Sequence, residues 1–447
     1  MSCPAPAPGW RPAVSSEFVF AGWSFSEADG EARLNYRLDG HPLTETFRFP
    51  LSVTAPVARR QALDAALDLL HWVAGISYWK AGCPAGVEFA GKRPDQRQAA
   101  WLNTLYREGL GEFAWNNGLE VERFKVFAGG PEASPPADEQ ALDRAFLVAM
   151  GGGKDSLVAW SRLDRRGLET VTAQVGQAAL IERVAQRIGH EHLIIERRLD
   201  PALAAFNRAG AWNGHVPVTA INAAALVVLA LLRGFGQVVF ANERSAEEAT
   251  LTDARGRSIN HQFAKTLAFE GMLDDWVRTW IAADLRVFSL LRRDRELAIC
   301  KEFAALGRFH DVFSSCNRNF HLDGARTSRW CGHCPKCHFV FLGLAPFMTP
   351  DELIAIFGAN LLADSRQLDG FKSLLALDGC KPFECVGEAA EARAAIRALA
   401  ARPEWCEQVV VRALNAALGE LEVPTLDTLC RPGGPHLIPA ELLDETG

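Results

Sequence analysis

Two hydrophobic periods alternate along the middle of this 447-residue chain. "AFLVAM" (Ala145–Met150) is an unbroken apolar run that ends on glycines, the pattern of a strand buried on both faces. "SLVAWSRLDRRG" (Ser156–Gly167) follows with helical spacing and a glycine stop. "ETVTAQVG" predicts a second strand, "ALIERVAQRIG" a second helix and "HLIIER" a third strand. Val216–Leu232 is apolar around its circumference and predicts a buried helix, and "QVVFANE" predicts a fourth strand. Such alternation predicts an α/β fold: a parallel sheet with helices on both faces. Ligands of these sheets sit beyond the carboxyl ends of the strands.

The flanks have other patterns. Upstream, "ARLNYRLDG" and "ETFRFPLSV" read as a strand pair, and a helical period runs from about Val57 to Ala81. Residues 1–127 are therefore expected to form a small N-terminal α+β domain. "AGGPEASPPADEQ" (Ala128–Gln140) is rich in Pro, Gly and Ala and reads as a linker, residues 128–140. The α/β core is expected over 141–348 and a mainly helical region over 349–447. Thr349-Pro350-Asp351-Glu352 opens that last region with a capping box and proline at the first helical position.

Composition excludes several classes. A net charge of -7 gives no electrostatic footprint for nucleic acid. The 17 apolar residues of Val216–Leu232 include Pro217, Thr219 and Asn222 and fall short of a membrane span. "MSCPAPAPGWRPAVSS" has neither a basic nor an apolar signal region, so a cytoplasmic location is expected. Eleven cysteines in a reducing compartment point to metal binding before disulfides.

Chemistry concentrates first at Gly151, Gly152, Gly153, Lys154, Asp155 and Ser156, between the first strand and the first helix. Glycines let backbone N–H groups converge on an anion, and the helix N-terminus adds positive potential. Lys154 can place a charge near phosphate, Ser156 can donate a hydrogen bond, and Asp155 can help hold Mg²⁺ or cap the helix. A Walker A loop is excluded because Asp155 intervenes between Lys154 and Ser156; the dinucleotide fingerprint is excluded because position 156 is Ser. The spacing matches S-G-G-x-D-S instead, so this stretch resembles the loop of the PP-loop ATP pyrophosphatases, with Gly151 where serine is usual. That resemblance implies an adenine-nucleotide α-hydrolase-like core that binds ATP and cleaves it to AMP and diphosphate.

Cys316, Cys331, Cys334 and Cys337 form a second constellation, C-x14-C-x2-C-x2-C. Four thiolates suit a closed, structural Zn²⁺ site, with an iron–sulfur cluster as the rival. Lys336, Arg329 and Arg318 would offset its charge, and His333 or His338 could replace one ligand. The knuckle too resembles PP-loop enzymes such as 7-cyano-7-deazaguanine synthase.

Three stretches carry unusual polar density. "AWNGHVPVTAIN" offers Asn213, His215 and Thr219; "ANERSAEEA" offers Asn242, Glu243, Arg244 and Ser245; "INHQFAKTLAFE" offers His261 and Lys265. Together with "KPFECVGE" (Lys381–Glu388) and "HWVAGISYWKAG" (His71–Gly82), they resemble the UDP-N-acetyl-α-D-muramoyl-L-alanyl-L-glutamate epimerase family. The resemblance implies inversion of the terminal L-glutamate of a UDP-linked muramoyl dipeptide, with ATP and Mg²⁺ consumed through an acyl-adenylate. Candidates for the proton-transferring base are His215, His261, Lys265 and Cys385, and residue type does not choose among them. Arg244 and Arg318 are candidates for the substrate's carboxylates or diphosphate, which arginine forks fit. Other readings are an amide- or nitrile-forming or deazaguanine-type PP-loop enzyme, a tRNA-modifying thiolase, and a non-catalytic zinc-knuckle adaptor.

Overall fold

A computed structural model describes residues 11–50, 59–253, 255–316, 318, 329–377, 379 and 381–443, and of Arg144 the backbone alone. Its strands are β1 (Phe18–Ser26), β2 (Glu31–Leu38), β3 (His41–Arg48), β4 (Glu88–Phe89), β5 (Asp143–Ala149), β6 (Thr170–Val175), β7 (His192–Arg198), β8 (Phe235–Phe240), β9 (Leu251–Thr252), β10 (Ser258–Ile259) and β11 (Arg286–Ser289). Nine of them form one sheet in the order β11-β8-β5-β6-β7-β3-β2-β1-β4, while β9 and β10 pair separately. From β11 to β7 every pair is parallel.

The apolar runs become strands because both of their faces are covered. Along β5, Leu147 faces one core, and Phe146 and Val148 face the other. Val238 and Val239 of β8 divide the same way, as do Val287 and Phe288 of β11. One core is packed by the helices Arg60–Ala74 and Val218–Arg233, the other by Lys154–Arg165 and Glu296–Ala304. Val218–Arg233 is the helix expected from the long apolar run, and it stops at Gly234, whose φ of 86° is left-handed. No helix among the described residues is long and apolar enough to cross a membrane.

The N-terminal region contributes three antiparallel strands. The strand β1 was not expected; β2 and β3 lie where the strand pair was expected, although residues 51–53 of that pair fall outside the described residues. β3 pairs with β7 through Thr46, Phe47 and Arg48, so these strands extend the core sheet. The long helix expected from about Val57 is Arg60–Ala74, followed after Gly75 by the short helix Ile76–Trp79; residues 57 and 58 are outside the described set. Residues 131–140 have no regular structure, yet the segment is tied down. Ser134 N–H donates to Asp95 Oδ2 at 2.9 Å, and Ala137 N–H donates to the Thr279 carbonyl at 2.8 Å. Downstream, the Thr349–Glu352 capping box opens the helix Pro350–Phe357, and Ala389–Ala400 and Val409–Leu418 pack into the second core.

Candidate active site at the sheet switch point

The topology selects the location. From β5 the chain steps outward through β6 and β7, then returns to β8 on the other side of β5. The connections after β5 and β8 therefore diverge, which opens a crevice between them at the carboxyl ends of the strands. A cavity of about 340 Å³ lies there, walled by Gly151, Gly153, Asp155 and Ser156 after β5 and by Asn242 and Glu243 after β8. Thr219, Lys265, Lys336 and Cys385 close it.

The glycine turn is built for close approach. Gly152 has φ +73°, and a Cβ there would lie 3.2 Å from Ile181 Cγ1. Gly151 has ordinary φ and open space where a side chain would project. The helix Lys154–Arg165 starts with no side-chain cap, and Ser156 Oγ donates to the Gly153 carbonyl at 3.1 Å. Its first N–H groups are thus left for a ligand. Lys154 behaves differently from the expectation that it would reach phosphate. It is fully buried and ion-paired with Asp155 and Glu296, off the cavity wall. One ammonium between two carboxylates cannot neutralise both. Burial alone would raise the Asp155 carboxyl, but Lys154, Lys336 and Lys265 outweigh it and hold it below the usual range. Burial and the Asp155 charge push Glu296 up to about 8. Among the described residues, the cations that face the cavity are Lys265 and Lys336.

Cys385 stands among cations. Burial would raise its thiol, yet Lys265, a hydrogen bond with His261 and Lys336 bring it down to about 6. His261 is the matching partner. Burial disfavours its imidazolium, but Cys385 and Glu112 hold the proton and raise it to about 9. His261 Nδ1 is hydrogen-bonded to Glu112 Oε2; the His215 ring lies 4.6 Å from the His261 ring, and its Nδ1 is 3.5 Å from the same carboxylate. Burial and the His261 charge push His215 down to about 4. These shifts favour a thiolate on Cys385, an imidazolium on His261 and a neutral His215 behind them. Glu112, His215 and His261 also converge closely enough to hold a metal ion.

The four cysteines come together as a third group. Sγ–Sγ separations are 3.5 Å for Cys334–Cys337, 3.7 Å for Cys331–Cys337 and 4.0 Å for Cys316–Cys334. Zn–S bonds of ~2.3 Å in a tetrahedron place sulfurs about 3.8 Å apart, so the donor set fits. His333 and His338 are outside this group: His338 Nε2 contacts Gln367 Oε1 at 2.8 Å, and His333 Nδ1 contacts the Cys331 carbonyl at 2.6 Å. Cys83, Cys300, Cys406 and Cys430 are free thiols away from it, and Cys3 and Cys380 lie outside the described residues.

Of the other expected site residues, Asn242, Glu243 and Thr219 reach the cavity. Ser245 does not: it is fully buried, donating to Glu391 Oε2 at 2.6 Å and accepting from Glu296 N–H at 3.1 Å. The Arg244 guanidinium lies against Gly433 and Gly434, away from the cavity wall. Asn213 is exposed and accepts from Lys80 Nζ at 3.3 Å. Arg318 is exposed and off the cavity wall. Sequence reasoning missed Glu112 and Glu296, which lie in no motif, and read Lys336 only as a counter-charge to the thiolates.

Comparison with known proteins agrees over nearly the whole chain. The family model described as the MurL N-terminal domain matches residues 11–290, and that of the MurL C-terminal domain matches residues 312–428. A UDP-N-acetyl-alpha-D-muramoyl-L-alanyl-L-glutamate epimerase of Xanthomonas oryzae pv. oryzae is 46% identical over 400 residues, 89% of this chain and 88% of the relative. Proteins of the same name from Salinispora tropica and a Micromonospora species are 40% and 41% identical, covering 96% and 94% of this chain and 95% and 96% of the relatives.

Proposed function

The chain belongs to the MurL epimerase family, and from that premise we propose that it inverts the terminal L-glutamate of UDP-N-acetylmuramoyl-L-alanyl-L-glutamate, in peptidoglycan precursor synthesis, while cleaving ATP to AMP and diphosphate. One juxtaposition carries the reading: the glycine turn and the Cys385 thiolate wall the same cavity. A phosphate cradle beside a low-pKa thiol suits a reaction that activates a carboxylate and removes the neighbouring proton.

The Cα–H beside a free carboxylate is a very weak acid, because its loss adds charge next to an anion. Joining the carboxylate to AMP as an acyl-adenylate removes that charge and makes the carbonyl an electron sink. Gly151–Gly153 and the uncapped helix N-terminus receive the phosphates, with Lys265 and Lys336 as counter-charges. Asp155 and Glu243, the carboxylates of the described residues on the wall, would hold Mg²⁺. Glu296 locks Lys154 and so fixes the turn beside it. Cys385 Sγ takes the Cα proton, and the His261 imidazolium steadies the thiolate until then. Return of a proton to the opposite face inverts the centre, and water releases the carboxylate.

Incubation with ATP, Mg²⁺ and the L-glutamate-terminated substrate in deuterated water is expected to yield AMP, diphosphate, a D-glutamate terminus and deuterium at Cα. Diphosphate release with uninverted, unlabelled glutamate would overturn the epimerase reading and favour another carboxylate-adenylating enzyme.

A further inference from the structure

A cavity of about 760 Å³ lies against the helices Lys154–Arg165 and Glu296–Ala304. Its size is that of a small-molecule site. Arg162, Arg165, Arg166, Arg293 and Lys301 line it against two carboxylates among the described residues, Asp294 and Glu302. Arg162 and Arg165 spend their charge on those acids, with Arg162 Nη1 2.7 Å from Asp294 Oδ2 and Arg165 Nη2 2.5 Å from Glu302 Oε1. No carboxylate oxygen of the described residues lies within 4.0 Å of the side-chain nitrogens of Arg293 or Lys301. The remaining wall is apolar, with Leu290, Pro432, Ile438 and Leu442. One half suits a flat base and ribose, the other a diphosphate that arginine forks grip.

The helices that border this cavity start at the glycine turn and beside it. Glu296 pairs with Lys154 at the turn, and Lys301 on the same helix lines the basic cavity, about 7.5 Å further at 1.5 Å per residue. Glu243 walls one cavity and Asp294 the other, and Arg244 N–H joins them by donating to the Asp294 carbonyl at 2.7 Å. The Arg244 side chain sits at this junction, within 3.6 Å of where a Cβ on Gly433 or Gly434 would stand, next to Pro432 of the basic cavity. Two extended residues reach about 7 Å before a sugar adds to the span.

We infer that this basic cavity is a nucleoside-diphosphate subsite that holds the UDP end of the substrate while its glutamate lies at the glycine turn. The inference rests on the proposed UDP-linked substrate, and its test does not depend on turnover. Calorimetry of the full chain with UDP alone is expected to show binding that falls about tenfold or more in Arg293→Ala/Lys301→Ala, as loss of charge-assisted hydrogen bonds implies. Ala298→Trp fills the cavity without removing charge and is expected to abolish the same binding. With the intact substrate the double variant raises KM and keeps kcat, whereas with the muramoyl dipeptide lacking the nucleotide both constants stay at wild-type values. Unchanged UDP affinity in both variants would overturn the assignment. So would displacement of UDP by a non-hydrolysable ATP analogue, which would put UDP at the glycine turn. UDP binding without epimerisation would refute the proposed reaction and leave the subsite standing.

Discussion

Cys385 carries the sharpest consequences at the scale of single residues. Its thiol titrates at about 6 and its partner His261 at about 9. Activity that needs the thiolate rises as pH passes through the lower value. It falls as pH passes through the upper one, where His261 loses the proton that stabilises the thiolate. The profile of kcat/KM is therefore expected to be a bell with limbs near these values, and a flat profile between about pH 5 and 10 would refute the pair. Cys385→Ser replaces the thiol by a far weaker acid of similar size. Deuterium exchange at Cα is expected to drop about 10²–10⁴-fold while diphosphate release persists. Cys385 was legible in the sequence as one of four candidates, no more. What singles it out is the convergence of Lys265, His261 and Lys336 from separate segments, and convergence is tertiary information. Glu112 was not legible at all, because nothing in "GEFAWNN" distinguishes it from the surface acid of an amphipathic helix.

The glycine turn shows how much an element adds to its residues. Gly152 holds a left-handed φ of +73°, with Ile181 Cγ1 3.2 Å from the place of a Cβ. Gly152→Ala is expected to cost about 1–2 kcal/mol in backbone strain alone and to lower ATP cleavage further by displacing the cradle. Gly151 has neither constraint. Gly151→Ser, which restores the usual hydroxyl of the motif, is expected to fold normally and to lower KM for ATP. A destabilised Gly151→Ser protein, seen by thermal melting, would contradict the geometry. The strand β5 was legible because both of its faces are buried and Ala145–Met150 run unbroken and apolar. The strand β1 was not, since its register shifts between Phe20 and Gly22 and breaks the alternation. β11 has four residues, too few for a period to show.

At the scale of the whole molecule, the cysteine group links the C-terminal helices to the cavity. Cys334 caps the helix Pro335–Leu344, accepting from Cys337 N–H at 3.4 Å, and Lys336 in its first turn reaches the cavity wall. Cys316 follows Ser314 and Ser315, which also line that wall. An ion bound by the four thiolates would thus fix two walls of the candidate active-site cavity at once, although it would touch no substrate. About one zinc per chain is expected by metal analysis, and iron with visible iron–sulfur absorbance would overturn that assignment. Because a closed four-ligand site organises the segments it joins, Cys331→Ser is expected to cost about 4 kcal/mol or more of stability. Removal of the metal by a chelator is expected to raise KM for ATP before the sheet melts, since Lys336 and the Ser314–Ser315 wall loosen first. Re-addition of Zn²⁺ restores that KM if the group is structural. Loss of kcat with KM and stability unchanged would instead place the metal in the chemistry.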